Sequence, residues 1–317
     1  MTPEFNLIKQ YFTAPTRHTS LGIGDDAALI SMGADMQLAI STDMLVMGTH
    51  FFADAAPYDV GWKALSVNIS DMAAMGASAK WATLAMALPE LNESWLAEFS
   101  RGFFACSAEF NIDLIGGDTT RGPLNISVTI MGEVPFDMAL RRNGAKVDDD
   151  IWVSGQLGSA ALGLAHLQDK THVPKVALFA CLNALHTPMP RAALGLALRG
   201  IATSCIDISD GLLADLGHIL TASNCGAKIA LEKIPCIELL KNNLHNPQFQ
   251  AAVLAGGDDY ELCFTAPKSK REEVNALSKK LNVQISHIGT TLMAIGLQAD
   301  YKNKKLVLLK QGFDHFD

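Results

Sequence analysis

Aspartate follows glycine, serine or threonine again and again along this 317-residue chain, in contexts that read as strand ends or loops. The clearest cases are Gly24-Asp25-Asp26, Ser41-Thr42-Asp43, Gly116-Gly117-Asp118, Ser209-Asp210-Gly211 and Gly256-Gly257-Asp258-Asp259, with Ser70-Asp71 as another. Most sit beside apolar runs such as Leu38-Ala39-Ile40, Leu114-Ile115 or Cys205-Ile206. A carboxylate beside a core strand is costly to desolvate unless something positive meets it. The formal net charge is -8, so lysine and arginine do not obviously supply that compensation everywhere. Hard divalent cations do: magnesium takes oxygen ligands and bridges carboxylates to phosphate oxygens. The pattern implies a phosphate-handling site with several magnesium ions.

The familiar phosphate and hydrolase motifs are absent. There is no GxxxxGK[ST] loop, no GxSxG and no HExxH, and Gly22-Ile23-Gly24 lacks the third glycine of a dinucleotide fingerprint. The acidic balance argues against nucleic acid as a partner. The start of the chain lacks the basic region and apolar run of a signal peptide, and no stretch is long and apolar enough to span a membrane. The six cysteines form no CxxC pair, which reads as free thiols in a reducing compartment and leads to the expectation of a cytoplasmic protein.

Strand and helix patterns interleave in both halves, which predicts a mixed α/β or α+β fold of two domains, divided as 1–138 and 139–317. Strands are predicted at 36–41, 81–88, 113–115, around 126–130, at 151–153, 204–206, 261–265 and, as the last one, 284–288. Helices are predicted from Pro57 to near Gly76, from an Asn92 cap to about Phe110, over 159–167, from Gly211 through Leu220, and over 268–281. Residues 136–150 read as the domain connection.

Asp26, Asp43, Asp71, Asp118 and Asp207 are the candidate metal ligands. Any one of them alone reads more readily as a turn former or helix cap. The set is harder to dismiss. Asp71 falls late in a helix on its periodic stripe, where neither capping nor the macrodipole favours it. Asp25 and Asp259 could support such ligands from behind or be solvated neighbours. Ser41 and Thr42 bring hydroxyl or backbone oxygens to Asp43. Gly117 permits close backbone approach to a phosphate. Arg142 is either a clamp on a triphosphate or a solvated interdomain arginine. His50 and Glu261 are either polar substrate contacts or ordinary structural residues.

The ordered set of segments resembles the thiamine-monophosphate kinase family. The matching segments are Gly22-Ile23-Gly24-Asp25-Asp26, Ser41-Thr42-Asp43-Met44, His50-Phe51, Lys63-Ala64-Leu65, Asn68-Ile69-Ser70-Asp71-Met72 and Gly116-Gly117-Asp118-Thr119. In the second half they are Asp207-Ile208-Ser209-Asp210-Gly211, Gly256-Gly257-Asp258-Asp259-Tyr260-Glu261 and Gly312-Phe313-Asp314-His315-Phe316. They run through nearly the whole chain.

The resemblance implies the aminoimidazole-ribonucleotide-synthetase-like fold: an N-terminal ATP- and metal-binding domain whose sheet pairs with that of a second subunit in a homodimer, and a C-terminal α/β domain. It implies transfer of the γ-phosphoryl of ATP to thiamine monophosphate, giving thiamine diphosphate, with no covalent nucleophile on the enzyme. Carried over by motif, Asp26, Ser41, Thr42, Asp43, Asp71, Asp118, Asp207 and Asp210 would bind magnesium. Gly117, Asp118, Arg142 and Ser209 would contact ATP. His50, Glu261 and Phe313 would contact thiamine monophosphate.

Two departures from the family pattern stand out. The second half opens with Asp148-Asp149-Asp150 where a Gly-Asp pair is usual, so Asp149 is expected to take the glycine's backbone conformation, which aspartate tolerates. Ser159 stands where an aspartate often follows the Ser-Gly-x-x-Gly turn. Related ATP-dependent enzymes of the fold fit less well. Selenophosphate synthetase would call for an early reactive cysteine or selenocysteine, and residues 1–105 contain no cysteine. The hydrogenase-maturation relative would call for a terminal cysteine, where this chain has Asp317. A non-catalytic nucleotide or metal sensor is the reading from a different class.

Overall fold

The computed structural model describes residues 6–307, 312 and 313. Its class is mixed α/β. The chain divides into two compact units: residues up to Met72 with Ala77–Asp137, and Ala73–Gly76 with the residues from Met138 onward.

The first unit carries strands β1 (Thr19–Leu21), β2 (Leu29–Ile30), β3 (Met36–Val46), β4 (Ser78–Leu88), β5 (Asp113–Arg121) and β6 (Asn125–Pro135), with helices α1 (Pro57–Ala74) and α2 (Glu93–Phe110). Its four-stranded sheet has the order β3-β6-β4-β5, antiparallel except for the parallel β4–β5 pair. Ile126, Val128 and Ile130 of β6 are buried while Ser127 and Thr129 between them are only half-buried, the period of two that a one-sided core imposes. Asn92 caps α2 by accepting the Trp95 N–H at 3.0 Å, and Asn111 ends the helix in the left-handed conformation at φ 57°. The two helices meet backbone to backbone: a Cβ on Gly102 would lie 1.9 Å from the Tyr58 carbonyl oxygen.

Two strands run further than their patterns predict. Ser41, Thr42 and Asp43 lie inside the eleven-residue β3, not at its end, and Gly116-Gly117-Asp118 lie inside β5, not in a turn after it. Polar residues and a glycine pair disguise both, because β3 and β5 are the sheet edges and carry exposed residues.

The second unit carries β7 (Asp150–Ser154), α3 (Ser159–Leu167), α4 (Lys175–His186), α5 (Ala192–Ala197), β8 (Ser204–Asp207), α6 (Leu212–Ser223), β9 (Gly226–Ala230), α7 (Glu238–Asn242), α8 (Pro247–Ala255), β10 (Leu262–Ala266), α9 (Arg271–Leu281), β11 (Ile285–Leu292), β12 (Gly296–Tyr301) and β13 (Lys304–Lys305). The seven strands follow the order β13-β12-β9-β11-β7-β10-β8. Both faces are covered. Ile151 and Val153 of β7 join a core with Leu212, Leu216 and Val253, whereas Trp152 between them joins a second core with Leu194, Leu198 and Val274. Alternation along one strand thus feeds two helical layers.

The expected last strand is followed by two more, β12 and β13. The left-handed backbone near the start of β7 belongs to Asp148, at φ 71°, and not to Asp149. Asp149 is instead buried, its Oδ2 accepting from Lys146 N at 2.9 Å and from the Thr203 hydroxyl at 2.7 Å.

Candidate active site

In the first unit, β3 and α1 present their polar groups to each other. Ser41 donates its hydroxyl to Asp71 Oδ2 at 2.6 Å, and the Asp43 N–H donates to Asn68 Oδ1 at 3.2 Å. The spacings match: residues two apart share a strand face, and residues three apart share a helix face. Asn68 is buried and is itself fixed by donating to the Ala64 carbonyl at 3.0 Å. Asp71 and Asp43 remain half-buried on this face. β3 and α1 thus bring Ser41 and Asp71 together, with the backbone of Asp43 seated on Asn68 one helical turn away.

Thr42 points to the opposite face of the sheet, where its hydroxyl lies 2.9 Å from that of Thr129. Asp118 shares that face. It stands opposite Ala85, which stands opposite Ser127, which stands opposite Met44. Because β3 and β5 are the two edges of the sheet, Asp118 lies about 14 Å from β3, three strand spacings away. Within one chain, Asp43 and Asp118 are therefore too far apart to share one ion. Asp26 is exposed in the loop between β1 and β2.

Gly117 has a structural duty beside the one expected of it. A Cβ there would lie 1.8 Å from the Leu84 carbonyl oxygen, so the residue lets β5 close against β4. His50 closes the turn after β3: its N–H donates to the Val46 carbonyl at 2.9 Å, and its Nδ1 accepts the Val46 N–H at 2.9 Å. With Nδ1 accepting, the proton of the neutral ring sits on Nε2.

In the second unit, β8 ends at the buried Asp207 and turns through Ser209-Asp210-Gly211 into α6. Two neighbouring segments seat this turn. Asp258 N donates to Ser209 O at 2.8 Å, Tyr260 N to Ile208 O at 2.8 Å, and Phe313 N to Asp210 O at 3.0 Å. Phe313 is thereby placed beside Asp210 with its ring half exposed. Asp314, His315 and Phe316, matched above, lie outside the described residues. Arg142 is exposed just before β7.

Glu261 is buried and paired. Arg191 grips both its oxygens, through Nε at 2.6 Å and through Nη2, and Ser154 donates its hydroxyl to Oε2 at 2.5 Å. Arg191 lies 70 residues from Glu261 and announces itself by no motif in the sequence.

Two further acids line this part of the second unit. Asp215, on the first turn of α6, is buried and accepts the N–H groups of Asp210 and Gly211. Burial, aided by the neighbouring charges of Asp207 and Asp210, pushes its carboxyl up to about 7. Asp259 accepts the Gly158 N–H at the start of α3, the helix that opens with Ser159. Burial drives its carboxyl well above the ordinary range, against the Gly158 hydrogen bond and with help from Glu261, Asp258 and Asp215.

This crowding of acids around the 207–215 turn is what a bound cation would relieve, and the oxygen-only donors at both sets fit magnesium. Among the described residues, no three His, Cys, Asp or Glu side chains are grouped to hold one metal ion. Magnesium does not require such a group, since it keeps several waters and takes one or two carboxylates beside phosphate oxygens.

Two family models match the chain: the AIR synthase related protein N-terminal domain over residues 24–134, and the corresponding C-terminal domain over 146–298. The chain is 44% identical to the thiamine-monophosphate kinase of Escherichia coli (strain K12), over 99% of this chain and 98% of that protein. The crystal structure of thiamine-monophosphate kinase from Stenotrophomonas maltophilia K279a is similar at a TM-score of 0.85 and 44% identity, covering 91% of this chain and 92% of that one. AaThiL complexed with AMPPCP and TMP is similar at a TM-score of 0.78 and 31% identity, covering 94% and 93%.

Proposed function

The chain belongs to the AIR synthase related family and, within it, to the thiamine-monophosphate kinases, and from that premise we propose that it catalyses magnesium-assisted, in-line transfer of the γ-phosphoryl of ATP to thiamine monophosphate. The observation that carries this reading is the 44% identity to a thiamine-monophosphate kinase over 99% of the chain. The likeness to AaThiL, seen with AMPPCP and TMP, supports ATP and thiamine monophosphate as the two substrates. The product, thiamine diphosphate, is the end of its biosynthetic route, and the enzyme would work in the cytoplasm. Among the described residues, no helix is long and apolar enough to cross a membrane.

Asp26, Ser41, Thr42, Asp43, Asp71 and Asp118 of the first unit, and Asp207 and Asp210 of the second, would hold magnesium. Magnesium bound there would neutralise phosphate oxygens on two anionic reactants. The chain's own groups orient the reactants. Gly117, Asp118, Arg142 and Ser209 would contact ATP. His50, Glu261 and Phe313 would contact thiamine monophosphate, with Nε2–H of His50 as a donor and the half-exposed Phe313 ring as a packing surface. Glu261 is held for that role by Arg191 and Ser154. The acceptor phosphate, with a second pKa of about 6, is largely ionised at neutral pH and needs no general base. No side chain becomes phosphorylated.

We also propose a homodimer. The open face of β3 leaves Ile40 59% and Met44 54% exposed, on a strand whose other face packs on α1. The separation of Asp118 from Asp43 within one chain supports the same reading, since a second copy could complete what one chain holds apart.

The test is an assay of ATP with thiamine monophosphate, following thiamine diphosphate by chromatography with and without magnesium. Formation of thiamine diphosphate and ADP in equal amounts, only with the metal, is expected. ATP hydrolysis alone, or product without divalent metal, would contradict the reading.

A further inference from the structure

Asp215, a buried carboxylate of the second unit, stands outside the proposed metal and substrate contacts. Asp215 is 3% exposed. Its Oδ2 accepts the N–H of Asp210 at 3.1 Å and that of Gly211 at 3.0 Å. Both bonds fall on one oxygen. Around it the turn is fixed on every side. Ile208 donates to the Glu261 carbonyl, the carbonyls of Ile208, Ser209 and Asp210 accept from Tyr260, Asp258 and Phe313, and a Cβ on Gly211 would meet the Ala255 backbone at 2.8 Å. Asp215 supplies the acceptor for two successive amides in the middle of this turn, immediately after Ser209.

We propose that Asp215 is a positioning residue for the nucleotide: it fixes the backbone of Ser209-Asp210-Gly211, and it does so as a hydrogen-bond acceptor rather than as a charge. This rests on the reading that the turn serves ATP and its metal. Removing the acceptor strands the buried N–H of Gly211 and the half-buried N–H of Asp210, and the turn must move to find water or another partner. An asparagine keeps one carbonyl oxygen at the same reach, which is all the two bonds use.

The experiment measures ADP binding to the full chain by calorimetry with magnesium, so that no turnover is needed, beside KM for each substrate. Asp215→Ala is expected to weaken ADP and raise KM for ATP about tenfold or more, with KM for thiamine monophosphate little changed. Asp215→Asn is expected to stay within about threefold of wild type on all three. A structural role alone would reduce the folded fraction, read by circular dichroism, and leave the affinity of the folded fraction unchanged. Should Asp215→Ala not fold, Asp215→Ser takes its place with the same expectation, its side chain being too short to serve both amides. Wild-type affinity in Asp215→Ala, or an Asp215→Asn as weak as Asp215→Ala, overturns the proposal. Asp210→Ala and Ser209→Ala separate it from its premise: if both keep wild-type affinity for ADP, the assignment of the turn to the nucleotide fails; if they weaken it while Asp215→Ala does not, only the role of Asp215 fails.

Discussion

The hydroxyl of Ser41 lies 2.6 Å from Oδ2 of Asp71, tying the middle of β3 to the last turn of α1. A serine inside a strand and an aspartate late in a helix each break the local pattern of their element. Together they explain each other. Each helps satisfy the other, and the pair leaves oxygen donors beside Asp43, which is anchored through its own N–H to Asn68.

Gly117→Ala tests the structural duty of that glycine. The added Cβ would lie 1.8 Å from the Leu84 carbonyl oxygen, which is strand backbone and cannot swing aside. Overpacking of this kind costs about 1–3 kcal/mol or more. A lowered urea midpoint is expected together with lost activity. Lost ATP affinity at unchanged stability would show instead that the glycine matters to the nucleotide alone.

The second unit should carry an acid-sensitive ion pair. Asp150 is buried and held by Arg271, at 2.5 and 2.7 Å, with His287 Nε2 at 3.2 Å. Burial pushes this carboxyl up, but the Arg271 hydrogen bond and the charges of His287, Arg271 and Lys268 outweigh it and hold it below its ordinary 3.8. A lowered folded-state pKa gives stability that is present above the ordinary value and lost as pH falls below it. Arg271→Ala should therefore lower the thermal midpoint at pH 7, and the gap to wild type should narrow as pH falls below about 4. A gap that stays constant from pH 7 to pH 3 would show that the pair contributes nothing through its charge.

Ile40→Lys and Met44→Lys place a charge on the open face of β3 without touching its α1 face. Sedimentation of the wild type as a dimer and of the double variant as a monomer is the expected pair of results. A double variant that still sediments as a dimer would move the interface elsewhere.

Direct transfer predicts inversion at phosphorus. With ATP made chiral at the γ-phosphoryl by oxygen isotopes, a single in-line displacement inverts the centre. Retention would mean two displacements and a phosphorylated enzyme group.

Much of this architecture was legible in the chain itself, and where it was not the reasons are physical. The Asn92 cap and the alternation of Ile126, Val128 and Ile130 are local signals, and both elements form where those signals put them. Edge strands blurred the pattern. In β3 and β5 polar residues face solvent or the sheet's open side, so the strands seemed to stop at Ser41 and Ile115. Strands β9, β12 and β13 lack a legible apolar pattern because they carry charged residues such as Lys228 and Asp300, which pair with each other across the sheet at 2.8 Å. The acidic residues were readable as a set. Their partners were not: Arg191 for Glu261 and Asn68 for Asp43 depend on contacts between distant segments or on helix phase. Asp215 is five residues beyond Asp210 and looks like an ordinary helix-start acid until its oxygen is seen on two amides.

The most direct measurement is kcat of Asp71→Ala for thiamine diphosphate formation at saturating magnesium and ATP, alongside its circular dichroism and thermal midpoint. Loss of about a hundredfold or more in a folded protein is expected if Asp71 holds a metal that acts in the transition state. A folded Asp71→Ala with near-normal kcat would contradict the assignment of the metal to these acids.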